Sequence, residues 1–109
     1  MASPIKTILN QALMWYYPLE NDKEILGHIK AELYPDYVLI HPALYKVTKE
    51  SYKGIQELFK KVTQDMIDMH YCYLHALTPN RRMVEVVTNN TAYPIAEMDG
   101  GVLYECRVG

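Results

Sequence analysis

The sequence predicts an α+β fold, in which a three- to four-stranded antiparallel sheet is covered by helices. Three observations predict this class. Apolar residues recur at helical spacing in the first third of the chain and again over residues 48–69. After residue 69 the apolar period falls to two, which is typical of strands. Turn-forming residues then divide the rest of the chain into short segments.

Two helices are predicted in the N-terminal third. Ser3 and Pro4 fit a helix start, with serine as the cap and proline in the first turn. An apolar stripe at helical spacing follows, and Pro18 ends this helix. Asn21, with Glu24 three residues later, fits a capping box for the second helix. The apolar stripe of the second helix consists of Ile25, Ile29 and Leu33.

One short strand and one long helix are predicted next. Residues 37–41 are apolar and partly β-branched, so they predict a buried strand, which Pro42 closes. The longest helix is expected over residues 48–69, with Thr48 as its cap. The apolar residues of this helix follow three-four spacing and are Tyr52, Ile55, Phe59, Val62, Met66 and Met69.

The C-terminal part of the chain predicts an antiparallel meander of up to four strands. Pro94 cannot donate to a ladder, so the segment around it is expected at a sheet edge. Asp99 and Gly100 form a strong hairpin signal. Residues 1–109 are therefore expected to form one domain. The strands of the meander are expected at residues 71–77, 83–87, 93–98 and 102–108.

Composition gives no strong signal for one class of partner. The formal net charge is -2, so no large field indicates nucleic acid or an anionic membrane. Cys72 and Cys106 are the only cysteines, and two cysteines far apart do not indicate a disulfide framework. Because there is no signal-peptide pattern and no apolar run of membrane-spanning length, we expect a cytoplasmic protein that does not contact membranes.

Residues 69–77, with the sequence MHYCYLHAL, place two histidines and a cysteine close together. Zinc needs three or four ligands that converge on one point. On a strand, His70 and Cys72 share one face and His75 lies on the other, so this segment supplies two ligands at most. Cys72 is also in phase with the apolar residues of the strand, so it is expected to face the core as an inert thiol. No metal and no cofactor are therefore assigned.

His41 is a candidate general base, because it stands at the end of a predicted strand, where clefts often open. No serine, cysteine or carboxylate accompanies it in a known catalytic pattern, and the chain contains no nucleotide-binding motif. The sequence therefore favours a non-enzymatic protein over a hydrolase or a metal-dependent enzyme, and no catalytic residue is assigned.

Aromatic residues indicate a protein interface. The chain contains ten tyrosines and one tryptophan, residue types that are common where proteins meet. The first predicted helix ends in a stretch that is apolar nearly all the way round, so a core or a partner must cover it. We therefore expect a small binding domain that acts as an inhibitor, an adaptor or a subunit of a homo-oligomer. The expected interface residues are Trp15, Tyr16, Tyr17, Tyr71 and Tyr73.

The alternative function is binding of RNA or single-stranded DNA. Such binding combines basic side chains for phosphates with aromatic rings for bases. Lys53 and Lys60 lie on the long predicted helix, and Arg81 and Arg82 occupy a predicted turn. Acidic residues on the same helix, such as Glu57, weaken this hypothesis, so it ranks second.

Overall fold

The computed structural model describes residues 4–9 and 12–108. This part of the chain forms a seven-stranded sheet with two helices packed on one face. The helices are α1 (Lys49–Asp68) and α2 (Arg81–Thr88). The strands are β1 (Ile5–Leu9), β2 (Ala12–Glu20), β3 (Ile25–Leu33), β4 (Val38–Leu44), β5 (Tyr73–Thr78), β6 (Tyr93–Met98) and β7 (Gly101–Arg107).

The strand order in the sheet is β1-β2-β3-β4-β5-β7-β6. Every neighbouring pair is antiparallel except β4 and β5, which are parallel. Parallel neighbours need a crossover connection, and α1 provides it. The antiparallel strands β1 to β4 thus form one half of the sheet, and β5, β7 and β6 form the other.

The core lies between the sheet and the helices. α1 crosses β2, β3 and β4, and α2 packs beside it, where the side-chain amide of Gln56 donates to the carbonyl of Val86 at 2.9 Å. The strands bury every second side chain beneath the helices. The most completely buried core residues are Tyr17, Ile29, Val38, Ile55, Leu58, Val62, Met66, Leu74 and Val87.

A buried tyrosine joins β2 to α1. The Tyr17 hydroxyl donates to the Asp65 carboxylate at 2.7 Å, and the Lys61 ammonium donates to the other oxygen of that carboxylate at 2.7 Å. Burial, together with the hydrogen bond to Asp65, raises the pKa of Tyr17 far above its ordinary value. Tyr17 therefore remains a neutral donor above the pH at which an ordinary tyrosine ionises.

The predicted fold class is wrong in both its sheet and its helices. A seven-stranded sheet replaces the three- to four-stranded meander with one short earlier strand. The two predicted N-terminal helices are β1, β2 and β3, and the strand predicted at residues 83–87 is part of α2. A spacing of four residues brings side chains to one face of a strand as well as of a helix, which is why Ile29 and Leu33 suggested a helix. Ser3 lies outside the described residues.

The remaining elements agree with the sequence prediction. α1 matches the helix expected over residues 48–69, and Thr48 caps it in a reciprocal arrangement with Ser51. β5, β6 and β7 match the other expected strands, and β6 lies at the sheet edge as Pro94 indicates. β4 matches as well, but the prediction that Pro42 closes it is wrong, because Pro42 lies within β4 and pairs with Ile29. Within the described residues, neither helix is long and apolar enough to cross a membrane.

Gly27 marks a close approach between β3 and β4. A Cβ atom at this position would lie 2.3 Å from the Ala43 carbonyl oxygen. A backbone oxygen cannot move away without disturbing the ladder between the two strands. We therefore expect Gly27→Ala to lower the free energy of unfolding by about 1–3 kcal/mol, which chemical denaturation followed by circular dichroism measures.

Gly54→Ala is the matched control for that prediction. Gly54 lies within α1, where the nearest atoms to a new Cβ belong to the flexible side chain of Leu19, at 2.9 Å. Alanine favours a helix over glycine by roughly 1 kcal/mol. The control should therefore keep or increase stability, and equal losses in the two variants would contradict the close approach of β3 and β4.

Candidate active site

The ladder between β4 and β5 is much shorter than the strands themselves. Pairing is confined to Val38↔Leu74 and Leu39↔His75, although β4 has seven residues and β5 has six. On their outer sides both strands stay paired to their ends, β4 with β3 and β5 with β7. β4 and β5 therefore separate beyond Leu39 and His75, and we call the gap between their carboxyl ends the β4–β5 wedge.

Backbone groups line this wedge. Beyond the two paired positions, the N–H and C=O groups of residues 40–44 that face β5 have no ladder partner in the sheet. Buried backbone groups of this kind need water or a ligand as a partner. An extended chain that carries amides can supply such hydrogen bonds, as a peptide does when it adds to a sheet edge. The wedge is therefore shaped for an extended, hydrogen-bonding ligand.

Helix N-termini stand at the open end of the wedge. Residues 45–48 connect β4 to α1, and two residues separate β5 from α2. The first turn of a helix offers free N–H groups and a partial positive charge, which favour anions. At α1 the cap uses the N–H groups of Thr48 and Ser51, while those of Lys49 and Glu50 keep no partner in the described chain. The start of α1 can therefore receive an anionic group.

The sheet face opposite the helices, which we call the open face, carries polar and aromatic side chains. These residues alternate along the strands with the core residues, so the pleat turns them away from α1 and α2. No described helix covers this face. Its half-buried side chains include Tyr16, His28, Glu32, Leu39, His41, Tyr73, His75, Leu77, Leu103 and Glu105.

Two glutamates on the open face each bind one tyrosine and one histidine. Glu32 accepts from the Tyr34 hydroxyl at 2.5 Å and from His41 Nε2 at 2.6 Å. In the other half of the sheet, Glu105 accepts from the Tyr93 hydroxyl at 2.6 Å and from His75 Nε2 at 3.0 Å. Both His–Glu pairs bridge adjacent strands.

These contacts fix the charge of the glutamates and the orientation of the histidines. The hydrogen bond from Tyr34, with a further contribution from His41, holds the pKa of Glu32 below its ordinary value. The hydrogen bond from Tyr93, followed by that from His75, does the same for the pKa of Glu105. An ionised carboxylate only accepts, so each histidine donates its Nε2–H and leaves Nδ1 as the basic nitrogen.

Tyr37 connects the two halves of the open face. Its ring stacks on His75, with 4.8 Å between centroids, and on Tyr34, with 5.1 Å between centroids. Stacking covers the flat face of an imidazole and leaves its edge accessible. The stack therefore holds the His75 ring in place.

His75 occupies the position where the wedge begins. It is half of the last β4–β5 pair, opposite Leu39, and its side chain points to the open face. His41 lies two residues farther along β4 on the same face. A ligand in the wedge and a second ligand on the open face would therefore meet beside His75. A base oriented by a carboxylate at such a junction can accept a proton from a nucleophile.

The predicted interface residues do not form one surface. Trp15 packs against the edge of the core and carries the Lys6 ammonium over its ring, 4.2 Å from the centroid. Tyr16 lies on the open face beside His28, whereas Tyr17 is fully buried in the core. Tyr71 is half-buried and donates to the Tyr34 carbonyl at 2.7 Å. Tyr73 lies at the start of β5 on the open face.

The predicted nucleic-acid residues lie on the two helices rather than in a hairpin. Lys53 and Lys60 are exposed on α1, and Lys60 pairs with Glu57 at 3.4 Å. Arg81 and Arg82 are the first residues of α2, and Arg81 pairs with Glu85 at 2.9 Å. Intrahelical acidic partners therefore already compensate part of this charge.

The expectation that Cys72 faces the core is wrong, because Cys72 is exposed and Cys106 is the buried thiol. The strand begins at Tyr73, so Cys72 precedes the alternating pattern that was extended to it. Within residues 4–9 and 12–108, no group of three or more histidines, cysteines and carboxylates is placed to hold a metal ion.

Sequence reasoning found His41 as a candidate base but missed its partners. Glu32 lies near the end of β3 and Tyr34 directly follows that strand, a two-residue spacing that the assignment of a helix there concealed. Glu105 pairs with His75 across β5 and β7. The antiparallel register of two predicted strands would have brought these two residues together.

The solved structures that resemble this chain include two that are acetyltransferases by name. Aminoglycoside 6'-acetyltransferase type Ii has a TM-score of 0.70 and 10% identity, over 88% of this chain and 70% of that one. A protein from Desulfovibrio desulfuricans, assigned to the GNAT family of acetyltransferases, has a TM-score of 0.68 and 17% identity, with the same coverage. Tetrahymena GCN5 has a TM-score of 0.58 and 19% identity, over 93% and 71%. No family model and no curated protein matches the chain.

These likenesses show the fold of the chain, which it shares with these two acetyltransferases. They also contradict the expectation of a non-enzymatic inhibitor, adaptor or other binding domain, because two of the structures that share this fold are named as enzymes. Binding of nucleic acid, the alternative to that expectation, is set aside on the same finding. Identities of this size carry over no individual residue.

Tyr34→Phe should raise the pKa of Glu32, because the Tyr34 hydroxyl is the main cause of its depression. A carboxylate with a depressed native pKa stabilises the fold above its ordinary pKa, and this contribution is lost as the pH falls through the native pKa. The variant should therefore be less stable than wild type near neutral pH, with the difference vanishing in acid. Carboxyl carbon NMR titration and denaturation at about pH 7 and about pH 3 measure both effects.

Tyr37→Phe is the control for this prediction. It keeps the ring that stacks on Tyr34 and removes a hydroxyl that has no hydrogen-bond partner in the described chain. The pKa of Glu32 should stay at its wild-type value. If Tyr34→Phe also left that pKa unchanged, the hydrogen bond would not be the cause of the depression.

Proposed function

We propose that this protein is an acyltransferase that moves an acyl group from an acyl-coenzyme A thioester to a primary amine. The observation that carries the proposal is the β4–β5 wedge, which opens towards the N-terminus of α1 in a fold shared with acetyltransferases. The wedge offers backbone hydrogen bonds to an extended chain, and the helix start offers positive potential to phosphates.

The wedge suits the pantetheine arm of coenzyme A, which is an extended chain with two amides. Residues 40–44 present unpaired backbone groups to such an arm along one side of the wedge. The arm has the thioester at its inner end, where the wedge closes at Leu39 and His75. The chain's own geometry thus brings a bound thioester close to the His75–Glu105 pair.

The N-terminus of α1 suits the phosphates of the same ligand, with lysine side chains in place of a glycine-rich loop. The connection at residues 45–48 has no glycine, so it does not provide a glycine-rich cradle of amides. Lysines supply the charge instead. Lys49 and Lys53 are exposed near this helix start and have no ion-pair partner in the described chain, while Lys46 pairs with Glu24 at 2.6 Å.

His75 acts as the general base in this proposal. Glu105 holds its Nε2–H, so the Nδ1 atom is free to take a proton from the amine of the acceptor. An acceptor that arrives as the ammonium first releases one proton to solvent. The neutral amine nitrogen then bonds to the carbonyl carbon of the thioester, the carbon–sulfur bond breaks, and the nitrogen loses a second proton to His75 Nδ1. Coenzyme A leaves as the thiolate, which takes that proton from the protonated His75.

Self-association and location remain proposals. The two thiols, Cys72 and Cys106, are free, which fits a reducing cytoplasm that also contains acyl-coenzyme A. The expected homo-oligomer is untested, and the exposed aromatic side chains near the edge of the sheet, such as Tyr93, are compatible with it.

His75→Gln should lower kcat for acyl transfer on the order of a hundredfold to ten-thousandfold, which is the usual contribution of a general base. The dependence of the rate on pH should differ from that of the wild type as well, because glutamine cannot accept the proton. Assays of free thiol release from acetyl-coenzyme A across a range of pH measure both effects.

His70→Asn is the matched control for His75→Gln. His70 is exposed in the turn between α1 and β5 and adopts a positive φ of 70°, which asparagine tolerates. This variant should keep wild-type kcat and the wild-type pH profile. Equal activity of the two variants would remove His75 from the reaction.

Replacing both Lys49 and Lys53 with glutamine should weaken binding of coenzyme A about tenfold, or roughly 1.4 kcal/mol. The salt dependence of binding should fall as well, because fewer charges contact phosphate. Pantetheine has no phosphate groups, so its affinity should not change. Lys23→Gln, in the turn between β2 and β3, is the control. Calorimetry measures the affinity of the wild type, the double variant and the control for coenzyme A and for pantetheine. An equal affinity for coenzyme A in all variants would exclude this end of α1 as the phosphate site.

A further inference from the structure

Three leucines interrupt the polar open face beside His75. Leu39 is paired with His75 across the parallel ladder, and Leu77 is paired with Leu103 across β5 and β7. All three are half-buried, although no described helix packs on this face. An apolar patch with a polar rim on an exposed face is typical of a ligand site.

The leucines form the floor of a cavity of about 310 Å³. Tyr37 and Met98 form its walls, and His75 is the one imidazole that lines it. The size is at the small end of ordinary ligand sites. The cavity adjoins the point where the wedge begins, because Leu39 and His75 belong to both.

We propose that this leucine-lined cavity binds the body of the acceptor, so that the acceptor is a primary amine on an aromatic or branched aliphatic group. The proposal rests on the acyl-transfer function proposed above. The flat ring of Tyr37 and the leucine floor receive the apolar body. The amine then lies at the polar end, where His75 and the Glu105 carboxylate behind it attract a cation.

The lining also excludes other amines. An amino sugar would place several hydroxyl groups against leucine side chains, where they lose water and gain no partner. A diamine would bury a second charge in the same place. The cavity therefore selects for one amino group on an apolar body, and selectivity comes from the unfavourable contacts of the wrong acceptors as much as from the favourable contacts of the right ones.

Acceptor preference provides the first test. With acetyl-coenzyme A as the donor, kcat/KM should be at least about tenfold higher for 2-phenylethylamine and 3-methylbutylamine than for glucosamine and putrescine. Equal or better use of glucosamine or putrescine would overturn the assignment of the acceptor class.

Leu103→Gln tests the cavity itself. KM for 2-phenylethylamine should rise about tenfold or more, while KM for acetyl-coenzyme A stays at the wild-type value. Leu13→Gln is the control, because Leu13 is a 47% exposed leucine of β2, on the opposite side of the sheet centre. Unchanged KM for the amine in Leu103→Gln, with circular dichroism showing an intact fold, would contradict the proposal.

A binding experiment separates this inference from the proposed reaction. 2-Phenylethylamine alone, without acyl donor, should shift the methyl NMR signals of Leu39, Leu77 and Leu103 in the wild-type protein. If these signals shift but no amine is acylated, the reaction is wrong and the cavity assignment stands. If amines are acylated but the signals stay fixed, the reaction stands and the cavity assignment is wrong.

Discussion

The interrupted pairing of β4 and β5 is the constraint on which the rest of the structure depends. Each strand follows its antiparallel partner to the end, so the two halves of the sheet meet at only two residue pairs. α1 packs on β2, β3 and β4 of the first half, and one hydrophobic core joins its buried side chains to those of β5 and β7 in the second half. Unpaired backbone groups in the gap are costly unless they gain a partner, and a ligand with amides of its own provides one.

The open face of the sheet exists because both helices pack on the other side. Because α1 and α2 share a face, the strands bury alternate residues, and the remaining residues form an open face of tyrosines, histidines and glutamates. Two carboxylates, kept ionised by the groups that donate to them, orient His41 and His75. The wedge and the open face meet at His75, so a ligand bound in the wedge and a ligand bound on the open face both lie beside this residue.

The long helix and the strands β4 to β7 could be predicted from the sequence, whereas β1, β2 and β3 could not. The α1 helix could be predicted because three-four spacing of apolar residues does not occur along a strand. The threonine directly before it indicated where the helix begins. The β3 strand was not predictable, because its large apolar residues Ile25, Ile29 and Leu33 lie four apart, a spacing that suits a helix as well as a strand. Asn21 was read as a helix cap, but its side chain accepts from the N–H groups of Lys23 and Glu24 in the turn between β2 and β3. Asparagine makes the same local hydrogen bonds in a helix cap and in a turn. The glutamate partners of the histidines could not be predicted either, because they depend on the register between strands, which a single segment does not show.

Hydrogen–deuterium exchange with and without coenzyme A tests the central claim, that the wedge holds the acyl donor. Backbone groups of residues 40–48 that lack ladder partners exchange readily in the free protein. We expect coenzyme A to slow exchange in that segment and at the end of β5, with β1 and β2 at the far edge of the sheet unaffected. Slowed exchange in β1 and β2 alone, or none anywhere at saturating coenzyme A, would contradict the account.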